Sequence, residues 1–515
     1  MISLAAPDAT MYWLSRRTRN DQFLLYCFTE SGRTDSALRA EILQRCAAVP
    51  ELRLRLHDDP TGLAYPRWIP AEPAAAQIEQ HRLPAPHWPE LLAAVGRLTG
   101  TGVDARESPW RLHIFREVRD GPVCGSPATV VVLQISHALV DGRGASRIAR
   151  ALFTEPSPPE AGSASPGAEP VGETPPPGTV PAECRPVSAA GEPEPKGGRS
   201  ARPASAEQAL GPPGADEFAP VPRIGGLPAD RDTRSPGIPA VPLASLRAAV
   251  TLPVGIARTV RRGMAAARAR NELAALTTAG RVPPPGTGYP PGPLNGPAEV
   301  TGHAARLLVC PADDFRVPGL SVTVVGLTAV SIAVERYLRA CGAQVSRLGA
   351  QVPMALPPRR GVRNNYRSLG VDLAAGEQDP RRRAALIAAE LTARRRRARH
   401  PLLDAQDAVD AVLPPLLLRR DVRDYPIDSI PEQVTGHTVV SSVNRGPADL
   451  RFGGAPVRFT GGFPALGAVM HLTHGIHGLG ETVTLSVHAD PGVVDPDVYA
   501  DHLRDALREL PRLRD

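Results

Sequence analysis

A stretch rich in proline and glycine, residues 155–242, divides this 515-residue chain and constrains everything around it. Runs such as EPSPPEAGSASPGAEP carry few large apolar side chains, so burial cannot offset the entropy lost on ordering them. The stretch reads as a disordered linker. What remains on either side is long enough to build cores of domain size. The organisation expected is an N-terminal lobe over 1–154, the linker over 155–242, a helical crossover over 243–291 and a C-terminal lobe over 292–515.

Within the first part, Thr34 and Asp35 can cap a helix running through Val49, with Leu38, Ile42 and Leu43 on one face. Trp110 to Val118 reads as a strand with Trp110, Leu112 and Ile114 on one side. Ala128 to Ile135 is nearly all apolar, as in a strand buried on both faces. After Gly144 the period becomes helical, with Ala145, Ile148, Ala149 and Leu152 in phase. The segment Ile135 to Gly142 therefore joins a central strand to a helix, where a rigid strand end can deliver side chains into a cleft. Beyond the linker, helices are expected over 243–278, 324–341, 381–400 and 495–510, and strands over 437–442 and 482–487.

His137 is the candidate for chemistry on that connection. An imidazole can take a proton near neutral pH and return it later. Asp141, four residues on, is expected to hold the loop by pairing with an arginine rather than to orient the ring. Gly142 leaves room for a sharp turn or for a close-passing substrate arm.

Composition excludes several classes of function. A net charge of +6 is mild for this length, and with 4% aromatic residues it gives no nucleic-acid-binding signature. Six cysteines without a CxxC pair point to reduced thiols in a cytoplasmic protein, with neither a disulfide framework nor a zinc finger. The N-terminus lacks the basic and apolar regions of a signal peptide, and the apolar run over 320–334 is shorter than the ~20 residues of a spanning helix. Arg258, Arg261, Arg262, Arg268 and Arg270 suit the 243–278 helix to an anionic membrane surface, or equally to packing on the second lobe. Arg394 to Arg397 with Arg399 read as a solvated helix face, with CoA phosphates or an acidic carrier protein as the alternative partner. His471, His474 and His477 would not share one face of a strand, so no metal is expected there.

Eight segments then fall in a telling order: Pro7 to Trp13 (PDATMYW), Val49 to Leu56, Ser108-Pro109-Trp110, Ser136 to Gly142 (SHALVDG), Pro293 to Pro297 (PLNGP), Asp379 to Arg383, Ser442 to Pro447 (SVNRGP) and His488 to Asp490. Together they resemble the wax ester synthase/diacylglycerol acyltransferase family, within the superfamily of CoA-dependent acyltransferases and condensation domains. The resemblance implies an α/β fold of two chloramphenicol-acetyltransferase-like lobes with a tunnel between them. It implies attack of an alcohol on an acyl thioester, with acyl-CoA as co-substrate and no bound cofactor. His137 would be the general base and Asp141 mainly structural, with Asn295 and Asn444 as tunnel residues.

The chain also departs from the family pattern. Ser136 replaces the motif's first histidine, Val443 replaces an asparagine that Asn444 carries one place later, and Leu320 to Thr323 replaces an Asn-Asp pair. Two alternatives follow: a condensation-type enzyme that takes its acyl group from a carrier-protein thioester, and an inactive lipid-binding scaffold.

Overall fold

The computed structural model describes residues 2–155, save 124 and 126, and residues 243–513, save 298, 299 and 468. The linker expected over 155–242 thus falls outside the described residues, apart from Glu155, as do Cys124 and Cys184.

Two six-stranded sheets organise the rest. The first has the order Arg451–Phe452, Ala455–Phe463, Gln22–Thr29, Ala128–Ile135, Trp110–Val118, Ile78–His81. Its central strand, Ala128–Ile135, is buried at every position. Val131, Leu133 and Ile135 enter one core while Ala128, Val130 and Val132 enter another, which is why polar alternation is missing from this strand. The first core lies under the helices Asp35–Ala48 and Gly142–Phe153; the second holds the helix Trp88–Thr99 with Ala305 and Leu307 of the opposite sheet.

The second sheet runs Tyr366–Asp372, Gly349–Ala355, Thr438–Asn444, Leu472–Leu479, Thr482–Ala489, Ala304–Pro311. Helix Val322–Ala340, whose first turn is capped by Ser321, lies in its core and is buried along most of its length. The fold is α/β with two lobes.

The structure differs from the expected division at 292. Strand Ala455–Phe463, far along the second half, pairs antiparallel with Gln22–Thr29 and completes the first sheet. An apolar strand at a sheet edge must be covered, and the cover can come from any distance along the chain. The crossover helix lies where it was expected, over Leu243–Thr278, and the chain turns just past it at Gly280, whose φ of +69° suits a residue without a side chain. Three of the arginines expected on a solvated face, Arg394, Arg396 and Arg397, also hold this crossover. Arg396 donates to the Arg281 carbonyl at 3.0 Å, and Arg397 to the Pro283 carbonyl and Thr277 Oγ1, each at 2.8 Å.

Candidate active site at the seam of the lobes

The buried strand Ala128–Ile135 ends in a tight turn. Ser136 N donates to the Pro109 carbonyl at 2.8 Å, and Leu139 N donates back to the Ser136 carbonyl at 3.0 Å. Ser136 itself is buried, and its Oγ accepts from Ala138 N at 3.3 Å, so it shapes the turn that lifts His137 out of the sheet. Asp141 then starts the helix Gly142–Phe153, its carboxylate accepting from Gly144 N at 2.8 Å. No arginine pairs with Asp141 among the described residues. The expected ion pair is replaced by an N-cap, because a short carboxylate at the strand–helix junction finds the free amides of the first turn before any distant cation.

Gly142 has ordinary space around it: an added Cβ would lie 3.7 Å from Gln22 Oε1. The glycine that packing demands is Gly144, where a Cβ would stand 2.7 Å from Val140 Cβ.

His137 is half-buried, and its partner comes from the other lobe. Its Nδ1 lies 2.7 Å from Asn364 Oδ1, while Asn364 Nδ2 donates to the His137 carbonyl at 2.7 Å and to Asp8 Oδ1 at 3.1 Å. Those two bonds use both amide hydrogens of Asn364, so its oxygen must accept and His137 Nδ1 must carry the proton. Nε2 is then a bare lone pair, with no partner among the described residues.

Asp8 sets this arrangement. Its buried carboxylate also accepts from Asn364 N at 2.7 Å and from Arg363 N at 3.1 Å. Burial pushes the Asp8 carboxyl above its usual range, against the pull of the Arg363 and Asn364 amides. Arg363 closes the seam by donating to the Leu139 carbonyl at 3.2 Å and lying over the Trp68 ring at 5.6 Å. Tyr366 flanks the imidazole, with ring centroids 5.8 Å apart. Burial pushes its phenol up, reinforced by the Asp141 charge, so it stays neutral.

Burial also pushes the His137 imidazole below its ordinary 6.5, against the bond to Asn364, a backbone hydrogen bond and the Asp141 charge. The ring is therefore neutral at neutral pH, with one proton fixed and one lone pair free. Such an arrangement can accept a proton and give it back.

The two asparagines expected to line a tunnel both bond to the backbone around them. Asn295 is buried with its amide spent on the backbone, accepting from Gly292 N and donating to the Val469 carbonyl, each at 3.1 Å. Asn444 is exposed and accepts from Gly446 N at 2.9 Å. It lines a cleft of about 550 Å³ with Ser146, Arg147, Arg150 and Arg445, beside the helix that Asp141 caps. The three histidines of the second lobe are dispersed, as strand alternation predicts. His471 pairs with Asp490 at 2.9 Å, His474 with Tyr499 Oη at 2.6 Å, and His477 with the Gly462 carbonyl at 3.1 Å.

Sequence reasoning missed Asn364 and Asp8. Asp8 stood inside a segment read only as family resemblance, and the Asn364-Asn365 pair carried no signal of its own.

Comparison with known proteins agrees with this architecture. The family model for the wax ester synthase/diacylglycerol acyltransferase catalytic domain matches residues 4–186, and that for the WS/DGAT C-terminal domain matches residues 363–511. Among solved structures, the wax ester synthase/diacylglycerol acyltransferase from Marinobacter aquaeolei VT8 is 17% identical, with a TM-score of 0.57 and 99% of each chain covered. A mutant starter condensation domain of rhizomide synthetase, solved with C8-CoA and Leu-SNAC, is 14% identical with a TM-score of 0.49, covering 100% of this chain and 94% of its own.

Proposed function

We propose, from the premise that this chain belongs to the wax ester synthase/diacylglycerol acyltransferase family, that it moves an acyl group from acyl-CoA to an alcohol with His137 as general base. Family membership makes it an acyltransferase. The observation that supports the finer reading is the fixed tautomer of His137, whose proton is held at Nδ1 by Asn364 while Nε2 is left to accept.

In the proposed reaction the acceptor hydroxyl gives its proton to His137 Nε2 as its oxygen attacks the thioester carbonyl. The tetrahedral intermediate collapses with cleavage of the C–S bond, and the imidazolium returns its proton to the departing thiolate. No acyl-enzyme forms. Asp141 serves by starting the helix, and Asp8 by holding Asn364. Enclosing both substrates in a tunnel between the lobes would supply much of the rate through orientation.

Products from a panel of acyl-CoAs and alcohols, analysed by mass spectrometry for wild type and His137→Ala, test the reading. An ester made by wild type and lost in the variant supports it; ester formation that persists in the variant overturns the role of His137. Acyl-carrier-protein donors in a parallel arm separate this function from condensation-type chemistry, and absence of product with every donor would favour a lipid-binding scaffold.

The helix Leu243–Thr278 supports a second element of the proposal, contact with an anionic membrane. Val250, Val254, Ile256, Val260 and Met264 are exposed there, among the exposed Arg258, Arg261 and Arg262. Apolar side chains set beside cations suit the boundary between acyl chains and anionic headgroups. No helix among the described residues is long and apolar enough to cross a membrane. Co-sedimentation with phosphatidylserine vesicles, reduced by Val254→Glu with Val260→Glu, is the expected result.

A further inference from the structure

The first sheet carries a second histidine arrangement that the acyl-transfer reading leaves unused. Its edge strand Ile78–His81 runs parallel to Trp110–Val118, with Glu79 opposite His113. Glu79 and His81 are two apart and so project from the same face. His81 Nε2 lies 3.0 Å from His113 Nδ1; Glu79 Oε2 lies 3.3 Å from His113 Nδ1 and 3.8 Å from His81 Nε2. Ligand atoms held tetrahedrally at about 2.0–2.1 Å from zinc stand roughly 3.3 Å apart, and these three separations bracket that value.

The remaining atoms leave His113 Nδ1 and Glu79 Oε2 free of protons, while His81 Nε2 donates to His113 Nδ1 until a metal displaces that proton to its far nitrogen. Gln134 Nε2 donates to Asp21 Oδ2 at 2.8 Å and to Thr101 Oγ1 at 3.3 Å, which uses both of its hydrogens. Gln134 Oε1 must then accept from His113 Nε2 at 3.0 Å, so the proton sits on Nε2 and the Nδ1 lone pair points at His81 and Glu79. A metal-bound imidazole is held in this way, with its far nitrogen donating to a fixed oxygen. Arg111 pairs with Glu79 Oε1 at 3.3 Å, leaving Oε2 turned toward the histidines. On its other side His81 opens into a cleft of about 200 Å³ lined also by Arg82, Leu83, Arg97 and Phe115.

We propose that Glu79, His81 and His113 form a zinc-binding site. Two imidazole nitrogens and one carboxylate oxygen make a donor set that suits zinc and leaves one position for water or an incoming ligand. The ion would tie the short edge strand to its neighbour.

The test uses full-length protein stripped with a chelator. Competition against a chromophoric zinc chelator should show one tight zinc per chain, and the cobalt(II) form should show the intense visible absorption of a tetrahedral site. His113 is buried and its removal endangers folding, so the variants are His81→Asn and Glu79→Gln, both at half-exposed positions and checked for native circular dichroism. Each should weaken the site about tenfold or more and abolish the cobalt absorption. Failure of wild type to take up stoichiometric zinc overturns the proposal, as does uptake that survives in both folded variants.

Discussion

Two histidines in this molecule are held by the same device and directed to different ends. At the seam, Asp8 holds the Asn364 amide and Asn364 Oδ1 takes the proton on His137 Nδ1. Inside the first sheet, Asp21 holds the Gln134 amide and Gln134 Oε1 takes the proton on His113 Nε2. In each case a buried carboxylate orients an amide, and the amide fixes a tautomer. The relays differ in what meets the remaining lone pair. His137 Nε2 meets no other protein group described, and so suits a substrate proton; His113 Nδ1 meets His81 and Glu79, and so suits a cation. A fixed tautomer is therefore not a signature of catalysis by itself; the surroundings of the free nitrogen decide the role.

The comparison can be broken first at His137. His137→Ala should lower turnover by about 10² to 10⁴, the contribution expected of a positioned general base, in acyl-CoA and alcohol assays at saturation. Asn364→Ala keeps the imidazole but frees its orientation, and should cost about 10²-fold in the same assay. Gln134→Leu, the matching change in the other relay, should act on stability instead. It leaves the His113 N–H without its acceptor and removes one of the donors to Asp21, which keeps the bond from Val103 N, at about 1–3 kcal/mol in urea unfolding, while the protein still transfers acyl groups.

Smaller effects sharpen the reading of the motif. Asp141→Ala removes an N-cap and should cost about 1 kcal/mol by the same measurement. Gly144→Ala should cost about 1–3 kcal/mol through the clash with Val140, whereas Gly142→Ala should stay within about 0.5 kcal/mol. The pH profile gives the subtlest test. Burial holds the His137 imidazole below its ordinary 6.5, so the acid limb of kcat/KM should fall below pH 6.5. The sign for stability is the same: with the folded value below the unfolded one, the neutral ring's contribution is complete above 6.5 and is lost as pH falls.

Much of the scaffold was legible in the residues. The apolar run Ala128–Ile135, the helical phase from Ala145 to Leu152 and the Thr34 cap each act over one or two turns of chain, and each element formed where its pattern lies. The motif's finer roles were less legible. Asp141 was expected to pair with an arginine rather than to cap the helix through Gly144 N, and Gly142 drew the notice that Gly144 required. Glu79 and His81 stand two apart on a short strand that sequence reasoning did not single out, and nothing local sets His113 opposite Glu79.

The sequence by itself determined that a buried strand would present His137 at the entry to a helix, because strand burial and helix period are local properties of the side chains. Only the tertiary structure decided which nitrogen of that histidine is free. Its partner Asn364 lies 227 residues after it and Asp8 lies 129 positions before it, and they converge where a helix of one lobe packs on a loop of the other. Non-local pairing depends on the summed burial of whole surfaces, so no short pattern in the chain records it.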